Sequence, residues 1–208
     1  MTFAAAAQGV AKLPADDLVT LQEGRVRSQS ARLLVGAGTG LGVAALVPKE
    51  SGWRTIGGEG GHIGFAPASE EQLAVWRHLL QPGGRVTAEN VISGPGLAAI
   101  YASLRKVSPG NTAIADPAEI VAAVPANPLW PDVHSICSSP PMAPSPATWP
   151  CCSWRAAASI SAAASRRRSC PAFGEGGFVR AFRERGAHAG LMSGFPIRVI
   201  TQRATRPA

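Results

Sequence analysis

Residues 57–62 read GGEGGH: a glutamate and, three residues on, a histidine, set among Gly57, Gly58, Gly60 and Gly61. A carboxylate accepts hydrogen bonds, and a neutral imidazole can donate or accept. Glycine forfeits backbone order and is useful where the chain needs unusual φ/ψ or must come close to a ligand. Taken alone, the hexapeptide is more simply a glycine-rich turn with a charged tip, and His62 a satisfied loop histidine. A second glycine run, GAGTGLG, occupies 36–42. The run lacks the GK[ST] of a P-loop and the spacing of the dinucleotide GxGxxG. A plain glycine hairpin would explain it. Glu89, in AENVISGPGL, reads on its own as a solvated first-turn helix acid.

These residues need elements to position them. ARLLVGAGTGLGVAALVP has apolar runs at Leu33–Val35 and Val43–Val47 around the glycine loop, which predicts two buried strands joined tightly. SEEQLAVWRHLL predicts a helix over Glu70–Leu80, with Ser69 as N-cap and Leu73, Trp76, Leu79 and Leu80 at helical spacing. TAENVISGPGLAAIYASLRKV suggests two helices interrupted at Gly94-Pro95-Gly96, and Asp116-Pro117 starts another. FPIRVIT at 195–201 reads as a strand, and GEGGFVRAFRERG at 174–186 as ordered.

The 208 residues suffice for one large domain or two small ones, and 46% hydrophobic content supports a core. Net charge is +7, which admits nucleic acid or an acidic membrane as partners. That charge is unevenly placed. Residues 128–173 hold four arginines against Asp132 alone, a net +3. Between Asn111 and Phe173 there is no glycine, although the chain has 23, and residues 125–171 carry nine of the 18 prolines and all four cysteines. Cys137, Cys151, Cys152 and Cys170 include no CxxC pair and read as accidental rather than as disulfide or zinc ligands. No apolar run reaches a membrane span and the N-terminus lacks the order of a signal peptide, so the expected location is cytoplasmic.

GAGTGLG followed by GEGGH, AENVISGPGL and a late FVRAFRERG…IRVIT resembles the bacterial glucokinase family over about residues 3–127 and 171–201. The resemblance implies an α/β fold: the C-terminal lobe of a two-lobed actin-like, hexokinase-type (ribonuclease H-like) fold, lacking most of the N-terminal lobe. It implies glucose and ATP as ligands, with Mg²⁺, in transfer of the γ-phosphoryl group to the sugar 6-hydroxyl. It places Glu59, His62 and Glu89 on the sugar and Gly38, Thr39 and Gly40 on phosphate, with no protein metal site. Carboxylates suit adjacent hydroxyl pairs through charge-assisted hydrogen bonds. A site that pairs every hydroxyl discriminates strongly, because an unmatched analogue leaves buried polar groups unpaired. The family is often homodimeric.

Three departures stand out. The family's catalytic aspartate lies in an Asn-Asp-Phe motif, where this chain has Met1-Thr2-Phe3. Thr2 cannot serve as a general base near neutral pH, so no catalytic residue is assigned. The N-terminal lobe with its first phosphate loop is absent, and the adenosine-side R-G-G-V-Y motif is replaced by WRAAASISAAASRRRSC. A shifted reading frame accounts for the last. With codons typical of a GC-rich gene, starting each triplet one base earlier turns Ser153–Ser165 into MARGGVYLGGGI. The expected organisation is therefore 1–127 lobe, 128–171 aberrant and poorly ordered, 172–201 lobe resumed, and 202–208 a divergent tail. Such an insert should fail to supply the lobe's buried strand, which predicts marginal stability or aggregation. Negligible kinase activity is expected of this chain. The rival readings are a non-catalytic sugar-binding or regulatory kinase-like module and, resting on Arg166–Arg168, a nucleic-acid binder.

Overall fold

In the computed structural model of the chain, residues 3–10, 12–26, 29–107, 116, 119–120, 159–164 and 177–200 are described. The strands are β1 (Leu18–Gln22), β2 (Arg32–Ala37), β3 (Leu41–Lys49), β4 (Gly52–Gly58), β5 (Ser159–Ala164) and β6 (Ile197–Ile200). They form one mixed sheet in the order β1-β6-β5-β2-β3-β4. β2, β3 and β4 make an antiparallel meander, and β5 and β6 run parallel to β2.

The sheet is covered on both faces, which is why β2 and β3 carry apolar runs. Side chains alternate along a strand. Leu33, Val35, Leu41 and Val43 therefore face a core with Val75, Val91, Ile100, Tyr101 and Leu104. Their neighbours Leu34, Ala44 and Leu46 pack on the other side with Ala7 of α1 (Phe3–Val10) and with Ile200. The first core is supplied by α2 (Glu70–Leu79), α3 (Ala88–Val91) and α4 (Gly94–Val107). A third cluster joins Phe178 and Phe182 of α5 (Gly177–Arg183), Met192 of α6 (Ala189–Ser193) and Ile197.

The hairpin of β2 and β3, the strand β6 and the helix after Ser69 lie where the sequence predicts them. The Ser69 hydroxyl accepts from the Gln72 N–H at 3.3 Å, and the Gln72 side chain accepts from the Ala68 N–H at 2.7 Å. These two bonds set the start of α2. The inward face is centred on Val75, fully buried, whereas Leu80 lies beyond the helix and is 38% exposed. The break between α3 and α4 falls at Ile92-Ser93, so Gly94-Pro95-Gly96 is the first turn of α4 and not an interruption. The Ser93 hydroxyl caps that turn by accepting from the Gly96 N–H at 3.0 Å. The Ile120 N–H donates to the Asp116 carbonyl at 3.0 Å, the i→i−4 bond of a helical turn.

One expectation is corrected. The serine- and alanine-rich stretch was expected to leave the sheet without an interior strand, yet β5 lies inside it, paired with β2 from Arg32↔Ser159 to Ala37↔Ala164 and with β6 from Ile160↔Ile197 to Ala163↔Ile200. Ladder bonds come from the backbone, so any non-proline sequence can fill a slot between two parallel strands. The marginal stability argued from an open interior edge loses its premise.

Gln22 ties the early chain to the late chain. It is buried, its Nε2 donates to the Met192 carbonyl (3.0 Å) and the Phe195 carbonyl (2.6 Å), and its Oε1 accepts from Arg183 Nε (2.6 Å). Gln22→Leu keeps the bulk and strips these bonds. It is expected to destabilise the fold by about 1–3 kcal/mol, the cost of leaving buried partners unpaired, read as a lower urea midpoint at unchanged m-value.

Candidate ligand site

The three glycine-bearing motifs meet at the end of the β2–β3 hairpin. Ala37 pairs with Leu41, leaving Gly38, Thr39 and Gly40 as the loop. The Gly38 N–H donates to the Gly40 carbonyl at 2.8 Å, and the Gly38 carbonyl accepts from the Gly94 N–H at 2.8 Å. The loop is thus closed on itself and pinned to the first residue of α4. Because the Gly38 amide is engaged, Thr39 and Gly40 hold the loop's amides that are paired with no protein group among the described residues. Thr39 is exposed.

Glu89, the second residue of α3, reaches this loop from below. Its Oε2 accepts from the Leu41 N–H at 2.8 Å. It is half-buried, so the solvated first-turn acid is not what the structure contains. The GGEGGH motif closes the arrangement. Gly60–His62 form a single 3-10 turn in which the His62 N–H donates to the Glu59 carbonyl at 3.0 Å. The chain then bonds across to the start of α3: the Ala88 N–H donates to Ile63 O at 2.8 Å, and the Phe65 N–H to Val86 O at 2.9 Å. Glu89 therefore follows directly on a residue tied to the neighbour of His62.

Gly60 and Gly61 are buried, and a Cβ on Gly61 would lie 2.4 Å from the Leu41 carbonyl oxygen. The glycine is required here by close approach of two backbones. Leu41 is thus held from both sides, its N–H by Glu89 and its carbonyl against Gly61. Glu59 and His62 point into solvent, with side chains 88% and 58% exposed. Their closest approach, His62 Nε2 to Glu59 Oε2, is 3.6 Å, too long for a good hydrogen bond and screened by water. Both side chains keep their bonding capacity for a ligand.

Sequence reading missed Leu41, and could not have found it: its part is played by a backbone amide, which any residue type supplies. Gly61 had a signal in the motif, though not its partner. Thr2, the four cysteines and Arg166–Arg168 lie outside the described residues. Among the described residues no group of three or more His, Cys, Asp or Glu is placed to hold a metal ion, and no helix is long and apolar enough to cross a membrane.

A meander followed by two strands parallel to its first, covered by helices on both faces, with a glycine hairpin at one end, is the architecture of a ribonuclease H-like lobe. Residues 2–130 match the family model described as Glucokinase, and the chain belongs to that family. It is 40% identical over 120 residues to the glucokinase of Chromobacterium violaceum, covering 58% of this chain and 34% of that one. To the Ralstonia nicotianae glucokinase it is 43% identical over 103 residues, covering 49% and 30%. The chain thus spans about a third of the length of these curated relatives. Among solved structures, a glucokinase from an Antarctic psychrotroph superposes with TM-score 0.80 at 22% identity, covering 98% of this chain and 64% of that one. A Balamuthia mandrillaris glucokinase in complex with glucose gives TM-score 0.72 at 14% identity, covering 99% and 60%. At these identities the structures establish the fold.

Gly61→Ala should force Leu41 or the 3-10 turn to move and destabilise the chain by about 1–3 kcal/mol, the cost of overpacking. Gly64→Ala, where nothing lies within 4 Å of the added carbon, should change stability by less than about 0.5 kcal/mol. Parallel thermal melts of the two variants check the contrast.

Proposed function

We propose that this lobe binds glucose through Glu59, His62 and Glu89 and the terminal phosphates of ATP through Thr39 and Gly40, with Gly38 shaping the loop. The whole protein would transfer the ATP γ-phosphoryl group to the sugar 6-hydroxyl in the cytoplasm, at the entry to glycolysis. The observation that carries this is the bond from the Leu41 N–H to Glu89. It joins the loop to the acid, two motifs 48 residues apart, at the point where sugar and phosphate must meet. The structural relatives in complex with glucose, and with glucose and AMPPNP, support the ligand pair.

In the transfer, the sugar oxygen–phosphorus bond forms as the bond from phosphorus to the leaving ADP oxygen breaks, and the hydroxyl proton goes to a base. Positioning and electrostatics carry most of such catalysis. Glu59 and Glu89 accept from sugar hydroxyls and fix the ring, while His62 donates or accepts at one further hydroxyl. The loop amides face the phosphate oxygens. Mg²⁺ would arrive with the nucleotide and neutralise phosphate charge, as it commonly does with few protein ligands. The proton has no acceptor at Thr2, so the chain is proposed to bind sugar without turning it over.

That separation favours a second reading, a sugar-binding or regulatory module. A transcriptional regulator of the ROK family superposes on 85% of the chain at TM-score 0.52. Residues 128–171 are proposed to be an out-of-frame copy of the family's adenosine-side segment. Sequencing the gene through that region, with no compensating insertion or deletion found, would sink this.

Titration calorimetry with glucose should show saturable binding, weakened at least about tenfold by Glu59→Ala, since two charge-assisted hydrogen bonds are worth more than 1.4 kcal/mol. A coupled assay with glucose, ATP and Mg²⁺ should show no turnover above the Glu59→Ala chain. Turnover well above that control would refute the inactive assignment, and absence of glucose binding would refute the site.

A further inference from the structure

The Gly40–Leu41 peptide unit is held at both ends. Its carbonyl accepts from the Gly38 N–H at 2.8 Å, and its N–H donates to Glu89 Oε2 at 2.8 Å. The carboxylate meets the loop with one oxygen foremost: a Cβ on Gly40 would sit 2.6 Å from Oε2, 3.2 Å from Cδ and 3.7 Å from Oε1. One oxygen is therefore turned to the loop amide, and the other lies farther from it with lone pairs left for a ligand. Rotating this peptide would release the Gly38 N–H, the bond that closes the loop carrying the amides of Thr39 and Gly40. The side chain that fixes its tilt belongs to the sugar motif and not to the loop.

We infer that Glu89 is a positioning residue for the phosphate loop as well as a sugar ligand, so that sugar occupancy sets the loop. A hydroxyl donating to Oε1 immobilises the carboxylate, and the immobilised carboxylate holds the Gly40–Leu41 peptide in place. The loop is then ordered when sugar is bound and looser when it is not. The coupling is reciprocal by linkage: a phosphate that requires the ordered loop tightens the sugar in return. This rests on the sugar-site reading above. It extends that reading from two adjacent sites to a mechanical connection between them, and it assigns Gly40 a role in sugar affinity through the space it leaves for Glu89.

The test is residue-level amide hydrogen exchange on the full chain, with and without glucose, alongside glucose titrations. In the unaltered chain the Leu41 amide should be protected, and glucose should slow its exchange about tenfold further, within the range that couplings between sites span. Glu89→Gln keeps a carbonyl oxygen for the Leu41 N–H, so protection without glucose should survive while glucose affinity falls. Glu89→Ala should lose both. Gly40→Ala leaves the carboxylate in the chain but displaces it, so Leu41 protection and glucose affinity should fall together with circular dichroism unchanged. If Gly40→Ala fails to fold, the contrast between Glu89→Gln and Glu89→Ala decides alone. Glucose binding that leaves Leu41 exchange unchanged overturns the coupling while the sugar site stands. Failure of the unaltered chain to bind glucose overturns the site and the coupling with it.

Discussion

The local structure depends on one peptide unit that has nowhere else to go. The Gly40–Leu41 amide is closed at its oxygen by Gly38 and at its hydrogen by Glu89, and the next carbonyl lies against Gly61 so closely that no side chain fits between. Leaving such a buried donor unpaired would cost about 1–3 kcal/mol, a large share of a domain's net stability. The glycine loop, the start of α3 and the GGEGGH turn must therefore assemble together. Their separation along the chain is bridged by hydrogen bonds that only this arrangement satisfies.

That assembly requires a rigid floor, and the two-faced sheet provides one. Leu33 and Val35 look one way and Leu34 the other, so β2 cannot slip by a residue without turning its apolar side chains to the wrong cores. The register fixed in this way delivers Ala37 and Leu41 opposite each other and leaves a three-residue loop of defined length. α4 then begins against that loop, its Gly94 N–H on the Gly38 carbonyl. On the far side, Gln22 holds β1 against the turn before β6 through the Met192 and Phe195 carbonyls. The sheet is thus fastened at its β1 edge by a side chain and at its ligand end by the loop.

How far this was legible depended on which chemistry carried each element. Apolar runs exposed β2 and β3, and the Ser69 N-cap with apolar residues at helical spacing exposed α2, because those signals reside in side-chain type. The identity of the inward residue was harder: Leu80 is as apolar as Val75, but the helix ends before it. β5 was invisible for the opposite reason. Serine and alanine carry little strand preference, and what recruits the segment is the vacant ladder between β2 and β6. Gln22 carries no local signal, since nothing near it in sequence reveals that its amide will meet residues about 170 positions away. For the site, the acid, the imidazole and the glycines were all legible as motifs. Their meeting point was not, because it is a main-chain N–H.

Holding a substrate and reacting it are separable, and the residues of this chain divide along that line. Glu59, His62 and Glu89 would act by accepting and donating hydrogen bonds that exist equally in the bound substrate and in the transition state. Such uniform binding survives the loss of a base. A general base contributes only as the proton leaves, so on the proposed reading Thr2 in place of an aspartate would remove chemistry and leave recognition in place. The position of Glu89 adds a reason for recognition to remain structured. Its carboxylate is needed by the loop whether or not phosphoryl transfer follows, because removing it would orphan the Leu41 amide. If Glu89 is the sugar ligand proposed, an acid that also supports the fold is harder to lose than a base that would support only the reaction.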